Sequence, residues 1–262
     1  MYLLGADPEV FVRNKLGQLV SGFGLIAGTK KAPAPVEKGA VQVDGMALEF
    51  NINPAASKEE FSLNIQTVLA QLKALVPDHE IAIQAVAKFG HEYMATQPAE
   101  ALELGCDPDF NAYTGRTNDR PDGDRPFRTA AGHVHVGWCQ GADVTQPDHR
   151  ADCEAVIRQM DYYLGVPSLL LDPDEERRQL YGAAGAYRPK PYGAEYRVLS
   201  NFWLKSPELI EWVYTQTMLA LAALERGDVA PNCEAIINSN DKETAKQIVA
   251  QMGWELPDAQ VS

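Results

Sequence analysis

Four stretches of this chain that read as β-strands each carry two polar residues at positions i and i+2 within otherwise apolar sequence. They are Asp7/Glu9 in GADPEVFV, Glu49/Asn51 in GMALEFNI, His133/His135 in GHVHVGW and Glu195/Arg197 in AEYRVL. Successive side chains on a strand point to opposite faces, so each pair shares one face. The neighbours Val10, Leu48, Phe50, Val134, Val136, Tyr196 and Val198 take the other. Each pair alone has an ordinary reading: Asp7 before a proline as a turn residue, the histidines as a solvent-facing edge, Glu195/Arg197 as a surface ion pair worth little. The joint pattern is different. Burying an unpaired carboxylate is costly, and several strands share that cost only if their polar faces meet over something positive. A metal-filled cleft floored by a sheet supplies it.

The rest of the chain supports a mixed architecture. YLLGADPEVFVR (2–13), GQLVSGFG, AVQVDGMALEFNINPA (40–55), EIAIQAVAKF, RTAAGHVHVGW and AEYRVLSNFW read as strands. Ser57 and Glu60 form a capping box for a helix that Pro77 stops. Apolar residues at Val156, Ile157, Met160, Tyr163 and Leu164 predict a helix over 147–165, and a short one is expected through Leu169–Leu180. SPELIEWVYTQTMLALAALERG has proline in its first turn and glycine at its end, as a helix should. DKETAKQIVAQMG gives the last helix. Residues 105–126, dense in Gly, Pro, Asp and Asn, read as loop. The expectation is one α+β domain over residues 1–254, with a largely antiparallel sheet, helices on one face and the cleft on the other, followed by a polar tail at 255–262.

The formal net charge of −13 argues against a partner such as duplex nucleic acid, which needs a basic face. It leaves room for a nucleotide held by a locally basic pocket and metal ions. The four cysteines, Cys106, Cys139, Cys153 and Cys233, show no CxxC spacing and read as reduced thiols. No signal peptide and no membrane span is apparent, so a cytoplasmic location is expected, without membrane partners.

Basic residues concentrate late in the chain. Arg177, Arg178, Arg188, Lys190 and Arg197 are five of the 23 lysines and arginines, within 21 positions. Beside candidate metal ligands, such a cluster suggests anion recognition, most simply of a polyphosphate. Arg177 is the exception: pairing with the preceding DPDEE on a helix surface is its expected role. GFGLIAGTKK (22–31) lacks the spacing of a phosphate loop and reads as a mobile loop.

At these residues the sequence resembles the glutamine synthetase-like carboxylate–amine ligases, and most of all the phage carboxylate–amine ligase type 2 family. GADPEVFV is similar to that superfamily's first-strand acid–Pro–Glu motif, GMALEF to its second-strand glutamate, GHVHVGW to its His-x-His strand and AEYR to its late Glu-x-Arg strand. RRQLYGAAGAYR resembles the preceding arginine-bearing segment. The resemblance implies an amidoligase with a glutamine synthetase-like catalytic domain: ATP phosphorylates a carboxylate, and an amine attacks the acyl phosphate to give an amide, ADP and phosphate. It implies metal ligation by Asp7, Glu9, Glu49, His133 and Glu195, with Mg²⁺ or Mn²⁺ as the ion. It places His135, Lys190 and Arg197 against the nucleotide, Arg178, Arg188 and Arg197 at the transferring phosphoryl group, and Asp44 and Asn51 on the substrate side. The carboxylate and amine are small molecules or peptide ends. Departures from glutamine synthetase itself are an Asp in place of the first Glu and a different spacing of the second-strand acids, Asp44 and Glu49. No small N-terminal domain is seen before the first motif, so the large ring assembly of glutamine synthetase is not assumed, and ammonia as the amine is not expected. Rival readings of the same residues are a metal-dependent hydrolase, a guanidino kinase-like phosphotransferase and an inactive binding module.

Overall fold

Pro8 divides the first apolar stretch into two strands that enter different sheets. In the computed structural model, which describes residues 1–102, 109–119 and 125–258, β1 (Leu3–Ala6) ends before Asp7 and β2 (Glu9–Arg13) begins after Pro8. Proline offers no N–H to a ladder and restricts the residue before it, so the chain bends and changes partners here. Strands β3 (Leu19–Val20), β4 (Ala34–Val36), β5 (Gly39–Asp44) and β6 (Ala47–Ile52) follow. The alternating run 40–55, expected as one strand, is a hairpin: Gly45 sits at its tip with φ of +56°, a conformation glycine adopts freely.

Helix α1 (Lys58–Leu75) begins at Ser57, whose hydroxyl accepts the Glu60 N–H while Glu60 reaches back to the Ala56 N–H. The stretch EIAIQAVAKF also yields two strands rather than one. β7 (Glu80–Ala82) pairs with β2, whereas β8 (Val86–Lys88) pairs with β10. Between β8 and β10 lie the short helices α2 (His91–Met94) and α3 (Ala99–Leu102) and strand β9 (Phe110–Asn111); β10 itself is Phe127–Thr129. The loop expected over 105–126 lies partly outside the described residues. Strand β11 (Val134–Gly137) leads to α4 (Pro147–Met160), which runs through a π-helical turn, Asp161–Gly165, into α5 (Val166–Leu171). The helix expected as far as Leu180 stops at Leu171, because Asp172 precedes Pro173. Only a 3-10 turn, Arg177–Gln179, forms beyond it. Strands β12 (Ala186–Lys190) and β13 (Gly193–Tyr196) and helices α6 (Pro207–Glu225), α7 (Glu234–Asn238) and α8 (Lys242–Met252) complete the chain. The tail expected from 255 has its last four residues outside the described set, and Trp254 packs on Tyr162 and Tyr163 just before it.

One sheet has the order β1–β11–β13–β12–β9; the other runs β3–β2–β6–β5–β4, with β7 also on β2. Every named strand pair is antiparallel. Backbone hydrogen bonds between Leu4 and Ala55 (2.9 and 2.8 Å) and from Phe50 N–H to the Pro8 carbonyl (3.1 Å) join the two sheets along β1 and β6. The result is a curled sheet in an α+β fold. Helices α1, α4 and α6 pack together, α1 against β5 and β6 and α4 against β12 and β13. Val134, Val136, Ala194 and Tyr196 are fully buried in that core, as the sequence alternation requires.

Candidate active site

The open face of the first sheet carries two rows of side chains. In one, the register sets Gly5, His135, Glu195 and Arg188 side by side across four strands. In the other, Asp7, His133, Arg197 and Ala186 follow, through backbone bonds from Asp7 N–H to the His133 carbonyl and from Arg197 N–H to the Ala186 carbonyl. The polar pairs of three separate strands therefore meet. The fourth joins them across the sheet boundary, where Glu9 and Glu49 are register partners.

Asp7, His133 and Glu195 bring one ligand atom each within 4.8 Å of one another, close enough to hold a metal ion. His133 Nδ1 lies 3.3 Å from Asp7 Oδ1 and 3.5 Å from Glu195 Oε1. His135 Nε2 lies 2.9 Å from the same Asp7 oxygen, and its ring stacks on Tyr192, whose hydroxyl meets His135 Nδ1. Glu195 is fully buried and is met by Lys190 (2.6 Å), by Arg188 at 3.8 Å and by Arg197. Arg197 in turn extends its Nε to Asp109 Oδ2 at 3.1 Å.

The electrostatics divide the acids into two kinds. Burial alone would raise Asp7, but the imidazoles of His135 and His133 hold its carboxyl well below the usual range. Burial and the Asp7 charge press Glu195 upward; Arg197, His133 and His135 outweigh them and keep it low. Burial and the neighbouring Arg197 push His133 down to about 4, so it is neutral, the state a metal requires. His135 goes the other way, since the Asp7 carboxylate outweighs its burial. Glu9, by contrast, is pushed up to about 7 by burial and the Asp44 charge. Burial and then Asp7, Asp44 and Glu9 raise Glu49 well above its ordinary value, although Gln42 Nε2 donates to it at 2.6 Å. Two carboxylates so crowded suit a cation between or beside them.

Two cavities flank this junction. A large one of about 650 Å³ is lined by Asp7, Glu49, Asn51, His135, Trp138 and Tyr192. A small one of about 60 Å³ is lined by Glu9, Asp44, Asp109, His133, Arg177 and Arg197, with Arg128 and Tyr181. Asp7 faces the first and Glu9 the second.

Residues 124–245 match the model of the phage phiEco32-like COOH.NH2 ligase-type 2 family. That is the family the sequence motifs resemble. The match spans His133, His135, the arginine-rich segment and Glu195/Arg197. It does not include Asp7, Glu9 and Glu49, which the fold carries to the COOH.NH2 ligase-type region through the β1–β11 ladder and the β2–β6 pairing. No curated protein matches the chain.

Within the ligase-matched segment the arginines do not all stand where the sequence suggests. Arg177, read as a surface residue, is 4% exposed and lines the small cavity, its Nη1 donating to the Val198 carbonyl at 3.0 Å. Of the acids expected to pair with it, Glu175 is taken by Lys242 (2.6 Å) and Glu176 by Lys88 (2.8 Å), while the Asp172 charge acts on its guanidinium. Gly182, with φ of +78°, makes room for Arg177, since a Cβ there would stand 2.3 Å from Nη1. Arg178, expected at the phosphoryl group, points away and lines a separate surface pocket with Glu175 and residues 238–243. Successive side chains in a 3-10 turn diverge by a third of a revolution, so only one of the two arginines can face the cleft. Asp44 is in the small cavity, where it pairs with Lys30 at 2.7 Å, and Asn51 is in the large one. Asp109 and Arg128 were not singled out by sequence. Arg128 stands five positions before His133 in an apolar stretch, a weak signal that only the fold makes specific.

Proposed function

We propose that this chain is an ATP-dependent carboxylate–amine ligase that forms an amide through an acyl phosphate and releases ADP and phosphate. The Asp7–His133–Glu195 cluster, standing where the two cavities meet, carries that reading. Only the larger cavity has room for a nucleotide, and Trp138 and Tyr192 give a base flat apolar surface there. The smaller cavity, rich in arginine, receives the carboxylate.

Asp7, His133 and Glu195 would hold one divalent ion and Glu9 with Glu49 a second. His133 is neutral, and Glu9 and Glu49 are crowded by like charges, so the residues present fit Mg²⁺ or Mn²⁺. Such ions, when bound, screen and align the phosphates for transfer. The chain's own contribution is positioning and charge. His135 lines the larger cavity, fixed by Asp7 and Tyr192, and Lys190 reaches Glu195 beside it. Arg197 and Arg188 flank Glu195 at the junction, where negative charge spreads over the equatorial oxygens during transfer. Asp109 holds Arg197 through its Nε, and the Nη1 arm lies on Glu195 beside His133. Asp44 lines the same small cavity, paired with Lys30.

The test is an ATP turnover assay with panels of acids and amines, with products identified by mass spectrometry. The expected result is ADP, phosphate and a new amide, all dependent on a divalent ion. AMP and pyrophosphate would reject the acyl-phosphate route. Turnover unaffected by excess chelator would reject the metal-dependent site.

A further inference from the structure

The turn that carries Lys30 is held on the β5–β6 hairpin. Thr29 and Ala32 exchange backbone hydrogen bonds of 3.1 and 3.0 Å, which puts Lys30 and Lys31 at the two central positions between them. Just before the turn, the Val43 N–H donates to the Gly28 carbonyl at 2.9 Å, and Thr29 bridges Val43. Only glycine allows that approach at position 28, since a Cβ would stand 2.0 Å from the Val41 carbonyl oxygen. From this tethered backbone the Lys30 ammonium reaches Asp44 Oδ2 at 2.7 Å, at the end of β5. Asp44 and Glu9 line the small cavity together. Partial burial would lower the Lys30 pKa, but the charges of Asp44, Glu49 and Glu9 outweigh it and raise the pKa. The ammonium therefore stands in the field of the same acids that crowd one another at the sheet boundary. Lys31, the next residue of the turn, is exposed.

We propose that Lys30 is the resident counter-ion of the second cation site: in the metal-free protein its ammonium holds Asp44, and a divalent ion entering beside Glu9 and Glu49 displaces it. The inference rests on the reading of Glu9 with Glu49 as holders of the second ion. An ammonium on a flexible four-carbon stem can be withdrawn while its backbone stays in place. A divalent ion arriving among these carboxylates meets it as a like charge, and that repulsion is weaker than the attraction of the acids but subtracts from it. Lys30 thus lowers the affinity of this site relative to the Asp7–His133–Glu195 cluster, which lies beyond Glu49 and Glu9 on the other sheet. The two sites fill in order. The second takes its ion most readily together with a ligand that brings negative charge of its own, as a polyphosphate does.

The experiment titrates Mn²⁺ into the full chain without nucleotide, followed by calorimetry and by the electron paramagnetic resonance of free Mn²⁺. The unmutated protein should show a tighter and a weaker class of site. Lys30→Met should tighten the weaker class by about fivefold or more and leave the tighter one nearly unchanged. Lys30→Arg, which keeps the charge, and Lys31→Met, which removes the same formal charge one residue away, should leave both classes close to those of the unmutated protein. Thermal denaturation in excess chelator gives a second readout: Lys30→Met should melt below the unmutated protein, and saturating Mn²⁺ should close that gap. If the methionine variant does not fold, Lys30→Gln takes its place in both measurements. Unchanged or weaker Mn²⁺ binding in Lys30→Met, equal tightening in Lys31→Met, or a melting gap that Mn²⁺ leaves in place would overturn the proposal. A single class of Mn²⁺ site in every variant would reject the second site and the role of Lys30 together. Tightening as expected, with no turnover of ATP under any acid, would reject the ligase reading and leave the role of Lys30 standing.

Discussion

Glu9 and Glu49 stand opposite one another in the β2–β6 ladder, one at the edge of the small cavity and the other in the wall of the large one. Burial and the Asp44 charge raise Glu9 to about 7, and burial and its acidic neighbours raise Glu49 well above its ordinary value. The folded, metal-free protein therefore holds protons that the unfolded chain releases near pH 4.5. Stability contributed by those protons is present at low pH and is lost as pH rises toward 7. For Glu9 alone the loss is at most on the order of 3 kcal/mol. Glu9→Gln should flatten the decline between pH 4.5 and 7, and Mg²⁺ or Mn²⁺ should restore stability to the unmutated protein at neutral pH. Chemical denaturation across that range, with and without chelator, measures both. A decline in the glutamine variant identical to that of the unmutated protein would contradict the assignment.

Arg197 should matter to the chemical step more than to nucleotide binding. Its fork spans Asp109 and Glu195, which one lysine ammonium cannot do. Arg197→Lys should lower the rate of ADP formation by about 10²-fold or more, roughly 3 kcal/mol in the barrier. The Michaelis constant for ATP should change far less, because the contacts strengthen as charge moves. Steady-state kinetics with ATP varied separates the two parameters, and a loss confined to the Michaelis constant would count against this role.

Trp138 lies in the large cavity, off the two rows of charged residues. Its indole supplies surface rather than charge, so Trp138→Ala should weaken ATP binding by about tenfold, in keeping with roughly 1.5 kcal/mol of aromatic contact. Calorimetry on the purified variant measures it. Unchanged ATP affinity would move the nucleotide out of this cavity.

Asp161 in the π-helical turn accepts three hydrogen bonds: from Tyr196 OH at 2.8 Å, Tyr113 OH at 3.0 Å and Gly185 N–H at 2.7 Å. Burial raises its carboxyl to about 7 against those donors. An amide nitrogen cannot accept, so Asp161→Asn leaves at least one buried donor unsatisfied. The expected cost is about 1–3 kcal/mol of stability, read by thermal denaturation. The variant matching the unmutated protein would mean that the network relaxes around the amide.

Much of the site was legible because strands make side-chain direction a matter of parity. His133 and His135 share a face with Glu195 and Arg197 whatever the loops do, and Val134, Val136 and Tyr196 are buried for the same reason. Boundaries were less legible where a single polar residue or turn breaks an apolar run. Gln84 ends β7 by turning its side chain to Arg13 and to the Val86 carbonyl, and Gly45 folds 40–55 into a hairpin. Arg177 lines the small cavity and Arg178 a separate pocket, the opposite of the placement that the sequence suggests, since the 3-10 turn is not visible in the pattern and Lys88 and Lys242 are remote in sequence. Asp109 and Arg128 gain their meaning only from long-range placement, which no local pattern encodes.

The bend at Pro8 also bears on how a chain of this kind can vary. Asp7 belongs to one sheet and Glu9 to the other, and a single stiff residue separates them. Glu49, His133 and Glu195 each arrive on strands of their own, joined by connections whose length can change without moving the carboxylates or the imidazole. The Asp–Pro–Glu tripeptide has no such freedom. One residue added or removed there would turn one acid to the helical side and shift every later position of β2 against β6. Divergent sequences that keep this cleft should therefore differ in length almost anywhere except within those three residues.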